Sequence, residues 1–222
     1  MDSFKTSHIL KSFERVISKS LVNFLEFNNK MDNSQHGSRS GRSTLSQLLE
    51  QQDQVLKALE EGENLDTAYL DFSKAFDKCD HGIIFHKLKS LGIRGRVGRW
   101  LFGFLIDRFM QVLVMGLKSE KSSLVSGVPQ GSVLGPVLFL VYISDIAEGL
   151  KANTLVYVDD TKVTQRVSKE EDIELMQAEL HKLYQWGRNN NKEFNGKNPA
   201  YGRHRISRPM RIIGPILFFG GG

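Results

Sequence analysis

Residues 154–167 read Thr154-Leu155-Val156-Tyr157-Val158-Asp159-Asp160-Thr161-Lys162-Val163-Thr164-Gln165-Arg166-Val167. Valine, tyrosine and threonine favour the pleated chain, and adjacent acids favour a tight turn. The stretch therefore predicts a strand to Val158, a turn at Asp159-Asp160 and a second strand from Thr161. A further strand, Thr67-Ala68-Tyr69-Leu70-Asp71-Phe72, is expected after a turn at Gly62–Asn64 and carries Asp71 at its end. An acid at one strand end and two in a neighbouring turn can converge at one sheet edge, supplying the hard oxygen ligands that Mg²⁺ prefers. Taken singly, each has a plainer reading: Asp71 as a strand-end cap, Asp159-Asp160 as ordinary turn residues.

Helices are expected on either side of these strands. Ile9, Phe13, Val16, Ile17, Leu21, Phe24 and Leu25 recur at helical spacing. After an aperiodic loop, Asn28 to Arg42, a second helix starts at Ser43 or Thr44, with a capping box expected between Thr44 and Gln47, and runs to Gly62. His81 to Leu91 and Arg96 to Phe109 predict two more, broken at Gly92 and Gly95. A hairpin with arms Gln111–Met115 and Ser123–Val125, joined through Gly116 to Lys121, leads to Gly127-Val128-Pro129-Gln130-Gly131. The most apolar helix is expected over Ser132 to Ala147 and the last over Glu170 to Trp186, with no periodicity beyond Asn189.

The whole chain has 222 residues, 40% hydrophobic and 25% charged, which excludes wholesale disorder and a large multidomain enzyme. A single cysteine, Cys79, excludes an intrachain disulfide and a cysteine-built zinc site, and favours an intracellular setting, cytoplasm or nucleus being left open. The longest apolar runs, Val133 to Ile143 and Ile212 to Phe219, fall short of the ~20 residues a bilayer crossing needs, so no membrane partner is expected. The net charge is +5, but from His181 onward eight bases face one acid, leaving 22 bases and 24 acids before it. That basic end fits either a phosphate-binding or a solvated segment.

Three segments in order carry a resemblance. Tyr69-Leu70-Asp71-Phe72-Ser73-Lys74-Ala75-Phe76-Asp77-Lys78-Cys79-Asp80-His81, Ser126-Gly127-Val128-Pro129-Gln130-Gly131-Ser132-Val133-Leu134-Gly135-Pro136 and Tyr157-Val158-Asp159-Asp160 resemble motifs A, B and C of reverse transcriptases. Gln35-His36-Gly37 with Arg39, Gly41-Arg42-Ser43-Thr44, Trp186 and Phe194-Asn195 further resemble the non-LTR (LINE-type) retrotransposon branch. The resemblance implies an α+β fold, a right-hand polymerase palm with partial fingers and an absent or truncated thumb. Its expected divisions are partial fingers over 1–65, palm over 66–198 and a basic tail over 199–222.

By the same resemblance the activity is RNA-directed DNA polymerisation. Its implied partners are an RNA template, a DNA primer and deoxynucleoside triphosphates, and its cofactor is a pair of Mg²⁺ ions, with Mn²⁺ as a substitute. Asp71 and Asp159 are the expected metal ligands, with Asp160 an auxiliary acid and the Phe72 carbonyl a further ligand. Phe76 is the expected steric gate against a 2′-hydroxyl, its plainer reading being a core ring. Gln130 and Gly131 are expected beside the incoming nucleotide, the plainer reading being a Pro-Gly turn. Arg39 is a candidate phosphate contact, Asp77 a helix cap, and Trp100 and Trp186 core rings.

The chain departs from the family at Ser38, where phenylalanine is usual, at Asn198, where lysine is usual, and in the Arg108-Phe109-Met110-Gln111 spacing. It also starts after the usual Arg-Pro-Ile-like fingers motif and stops before a full thumb. These departures keep open an alternative, an inactive palm fragment of a decayed retroelement that at most binds nucleic acid nonspecifically. Oligomeric state is left open.

Overall fold

A computed structural model describes residues 8–195 and 200–204. In chain order its elements are α1 (His8–Phe27), α2 (Thr44–Glu60), β1 (Asn64–Leu70), α3 (His81–Ser90), α4 (Gly95–Leu105), β2 (Arg108–Met110), β3 (Leu113–Val114), β4 (Leu117–Lys118), β5 (Ser122–Leu124), α5 (Gly135–Tyr142), β6 (Asn153–Tyr157), β7 (Asp160–Val167), α6 (Glu170–Asn189) and β8 (Ala200–His204). They fall into two compact units, each discontinuous in sequence: residues 1–31 with 74–145, and residues 32–73 with 146–222.

The second of these units is built on a four-stranded antiparallel sheet in the order β6-β7-β1-β8. Leu65, Asp66, Thr67 and Ala68 of β1 are all buried, and because successive side chains point to opposite faces, both faces of this strand are covered. α6 packs on β7, and α2 packs on β1 and β6. The capping box of α2 lies one residue earlier than expected. Ser43 is extended, its hydroxyl accepts the Ser46 N–H, and the Ser46 hydroxyl accepts the Ser43 N–H, while Gln47 is buried. β8 is a strand where no element was expected; residues 196–199, including Lys197 and Asn198, and 205–222 lie outside the described residues.

A buried carboxylate orders the approach to β6. Glu179 of α6 accepts the N–H groups of Lys151 (2.6 Å) and Ala152 (3.3 Å) and the Lys182 ammonium (2.7 Å). Burial pushes its carboxyl up, but Lys182 and the two backbone donors more than reverse this, and its pKa lies below the usual glutamate value.

The first unit is helical around α5, whose residues Val137 to Tyr142 are all buried. A helix apolar on every side belongs in an interior. Pro136 starts it later than expected, since proline suits the first helical turn. Glu14 of α1, itself buried, accepts the backbone N–H groups of Val133 (2.7 Å) and Leu134 (3.4 Å) just before α5, where a helix dipole favours negative charge. α3 packs on α5 and α4, and Lys87 of α3 reaches inward to Asp145 and the Tyr142 carbonyl. α4 stops at Leu105, short of the expected Phe109, because Asp107 turns left-handed (φ +55°) and Arg108 opens a strand. The expected hairpin is two nested ladders, β2 with β5 and β3 with β4. Among the described residues no helix is long and apolar enough to cross a membrane.

Candidate active site

The antiparallel register of β1 and β7 ends with Leu70 opposite Thr161. Asp71, one residue beyond Leu70, and Asp160, one residue before Thr161, therefore sit at the same end of neighbouring strands. Tyr157 pairs with Asp160, so the turn consists of Val158 and Asp159, and Asp160 opens β7. This corrects the expected Asp159-Asp160 turn. The cause is Val158, a β-branched residue held left-handed at φ +57°, a conformation its preference for strands conceals.

The three expected acids thus meet in one unit. Asp71 and Asp160 are exposed and Asp159 is half-buried. Burial pushes the Asp159 carboxyl above the usual aspartate value, and the negative charges of Asp160 and Asp71 push the same way, against its own backbone N–H and Lys192. Carboxylates so arranged invite a cation. Aspartate oxygens and the Phe72 carbonyl form a hard donor set, which in its chemistry fits Mg²⁺. Among the described residues no three His, Cys, Asp or Glu side chains converge on one metal position, so the fit lies in donor type and strand-end placement.

The strained turn is strapped by the loop before α2. Val156 exchanges backbone hydrogen bonds with Ser34 and His36, each at 2.8 Å, in a parallel bridge at Gln35. The buried Gln35 carboxamide oxygen accepts the Val158 N–H at 3.1 Å and the Gly37 N–H at 2.7 Å. A Cβ on Gly37 would stand 2.6 Å from the Val158 nitrogen and from its Cγ2, so only glycine permits this approach. The family resemblance marked Gln35-His36-Gly37 without a structural role; the unusual run of small and polar residues was the available signal. Buried His36 is fixed by Ser46 Oγ (3.0 Å), Arg42 (3.2 Å) and Glu50 (3.3 Å). Burial, then the Arg42 charge, lower its pKa. Arg39, the candidate phosphate contact, donates to the Asp32 carbonyl at 2.6 Å within the same loop.

Asp71 is held from the other side. Its carbonyl accepts the Asn195 N–H at 2.7 Å, and the Glu193 carbonyl accepts the Ser73 N–H at 3.0 Å. The Phe72 ring stacks on Phe194 at 4.6 Å and meets Trp186 at 5.9 Å. Trp186 is half-buried and belongs to this aromatic clamp. Lys192, buried at 3% exposure, lies 6.0 Å from the Phe72 ring centre and acts on Asp159 electrostatically. Sequence reading counted it only among the basic residues of the C-terminal end.

The expected nucleotide-binding residues Phe76, Gln130 and Gly131 come together in the other unit. Phe76 is half-buried, with one face stacked on Phe139 at 4.6 Å, and its carbonyl accepts the Val128 N–H at 2.9 Å. Gln130 is exposed and donates to Asp77 Oδ1 at 2.7 Å. Asp77 is therefore not the helix cap; Asp80 caps α3 by accepting the Ile83 N–H. His81 Nε2 meets the Gly127 carbonyl at 2.7 Å, and Gly127 (φ +89°) lies so close to the Asp77 carbonyl that a Cβ would be 2.8 Å from its oxygen. Gly131 (φ +79°) has open space where a Cβ would stand.

A sheet whose hairpin turn and adjoining strand end carry acids, packed by helices, is the palm of a right-hand nucleic-acid polymerase. Candida albicans telomerase in complex with the TWJ fragment of telomeric RNA shares this fold, with a TM-score of 0.64 at 11% identity, covering 89% of this chain and 36% of that one. Apo telomerase from Candida tropicalis truncated from its C-terminal domain gives 0.60 at 12% identity, covering 89% and 41%. The chain belongs to the reverse transcriptase (RNA-dependent DNA polymerase) family, which it matches over residues 3–197. Its relatives are polymerases of non-LTR retrotransposons. It is 30% identical over 213 residues to the RNA-directed DNA polymerase from the Drosophila melanogaster mobile element jockey, covering 90% of this chain and 23% of that protein. It is 32% identical over 162 residues to a probable RNA-directed DNA polymerase from transposon BS of the same species, covering 69% and 18%. The chain thus spans less than a quarter of these relatives.

Proposed function

We propose that the chain is the polymerase portion of a retrotransposon reverse transcriptase, extending a DNA primer with deoxynucleotides on an RNA template. The observation that carries this reading is the gathering of Asp71, Asp159 and Asp160 at one end of the β1–β7 pair. Asp71, Asp159 and the Phe72 carbonyl would hold the Mg²⁺ ions, with Asp160 alongside; when bound, such ions stabilise the charge of an in-line phosphoryl displacement.

The chain's own residues then position the reactants. The primer 3′-oxygen bonds to the α-phosphorus, the bond from that phosphorus to the bridging oxygen breaks, pyrophosphate leaves, and the hydroxyl proton passes to solvent. Gln35 and the Asn195 N–H hold the two acidic segments in place, so they need little rearrangement when charge develops. Phe76, fixed on Phe139, excludes a 2′-hydroxyl from the sugar site. Gln130, oriented by Asp77, and Gly131, open where a side chain would stand, lie against the incoming nucleotide. Arg39 contacts its phosphates.

The test is Mg²⁺-dependent extension of a DNA primer on an RNA template by the purified chain and by Asp159→Asn, with ribonucleotides as a second substrate set. Deoxynucleotide incorporation lost in the variant supports the reading. No incorporation by the native chain, with RNA binding intact, overturns it for this stretch of the protein.

A further inference from the structure

A basic island lies in the helical unit, on residues to which no part in the reaction was given above. Residues 81–106 contain five bases, Lys87, Lys89, Arg94, Arg96 and Arg99, and no acid. The rest of residues 1–180 contains 17 bases and 24 acids, so this helix pair is a positive segment in an otherwise negative stretch. Such segregation is costly, because like charges on neighbouring turns repel.

The side chains show where the charge goes. Lys87 turns inward to Asp145 and the Tyr142 carbonyl. Lys89, Arg94 and Arg99, with His86, line an open cleft of about 860 Å³ between α3 and α4 that no acidic residue enters. None of the three fixed cations forms an ion pair among the described residues. Their positions are nonetheless set: the Lys89 ammonium rests 4.3 Å above the Phe85 ring, which is itself packed on Phe102, and Arg94 Nε donates to the Lys89 carbonyl at 3.2 Å. The first turn of α4, opening at Gly95 in the cleft wall, has no side-chain cap, so its N–H groups add positive potential there.

We propose that this α3–α4 cleft is a second nucleic-acid site, taking the phosphodiester backbone of an RNA strand. Charge complementarity selects the occupant: three cations and a free helix start, with no acid to repel an anion, match consecutive phosphates. The Phe85 ring in the wall is covered by Phe102 and Lys89, and contacts from the cations to phosphates carry no sequence information, so binding through them is independent of sequence. Phosphates of DNA share this chemistry, and the probes below separate the two. The site needs no catalysis, so failure of primer extension leaves it standing.

The test is fluorescence anisotropy of a labelled 20-nucleotide single-stranded RNA, titrated with the full chain between 50 and 200 mM KCl. Replacing Lys89, Arg94 and Arg99 together by alanine should flatten the slope of log Kobs against log[salt] by about 2, since each phosphate contact to a single strand contributes roughly 0.7. The matched control Lys118→Ala/Lys121→Ala should leave the slope unchanged. An equal slope in the triple variant overturns the proposal. A fold-independent arm uses the native chain: RNA should protect Lys89 from acetylation more than Lys118, and equal labelling overturns the site. Duplex DNA of the same length should protect less; stronger protection by DNA, or by polyglutamate at equal charge, would overturn the assignment to RNA.

Discussion

The carboxamide oxygen of Gln35 lies 3.1 Å from the backbone nitrogen of Val158, the left-handed residue that precedes Asp159. One side chain therefore supplies the hydrogen bond that the turn's own geometry cannot. Gln35→Ala leaves the buried N–H of Gly37 and the part-buried N–H of Val158 without their acceptor, at ~1–3 kcal/mol for the first and less for the second. Its urea midpoint is expected to fall, and kcat to fall more than KM rises. Gln35→Glu keeps an acceptor and should recover most of the stability, while its charge beside the acids keeps activity low. Equal kcat in all three proteins would remove Gln35 from the positioning of Asp159.

Asp159→Asn is expected to separate function from stability. The carboxyl is held above its usual pKa by burial and by two neighbouring acids, so its ionised form is disfavoured in the folded chain. Removing the charge should raise the thermal midpoint while extension drops by ~10²-fold or more. A variant that both melts earlier and loses activity would mean that the carboxylate has a structural role.

Glu179 predicts a pH dependence. Its folded pKa is depressed, so its stabilisation is fully present above the ordinary glutamate pKa and is lost as pH falls through the folded value. Glu179→Gln should cost ~2 kcal/mol at neutral pH, since the carboxylate serves three donors, and the gap between the two proteins should close in acid. Denaturant melts at pH 7 and near pH 3 measure both. A gap that stays constant with pH would show that the charge contributes nothing.

Phe76→Val tests the gate. Its ring is fixed by Phe139, so shortening it opens space without unseating a neighbour. The preference for deoxynucleotides over ribonucleotides, as a ratio of kcat/KM, should fall by ~10-fold or more. An unchanged ratio would return Phe76 to its plainer reading as a core ring.

How much of this was legible beforehand depended on the range of the interaction. The helices α1 and α6 follow from apolar spacing, and the strands around Asp71 and Asp159 from β-branched runs bounded by turn residues. These are local signals. The misplaced turn came from Val158, whose left-handed backbone is enforced by Gln35, 123 residues away, and opposes its own propensity. The clamp on Asp71 was equally hidden, because Phe194 and Asn195 acquire meaning only once α6 returns the chain to β1. Asp77 looked like a cap because acids commonly precede helices; the Asp80 side chain, three residues nearer, took that place and left Asp77 to hold Gln130. The acids themselves were readable as a set, since their spacing and the motifs around them narrow the chemistry before any geometry is known.

The interruption of the sheet unit by residues 74–145 sets an order of events on the ribosome. β1 leaves the exit tunnel long before β7, its hydrogen-bonding neighbour, and Asn195, which grips the residue after it, emerges last of the three. At ~5–20 residues per second, the ~100 residues from β1 to β7 take several seconds to make, during which a strand destined for burial on both faces waits unpaired. Over that interval the nascent chain should be sensitive to proteases and dependent on holding chaperones. The carboxylates would then be assembled only in the last step, when the segment after α6 closes over Asp71.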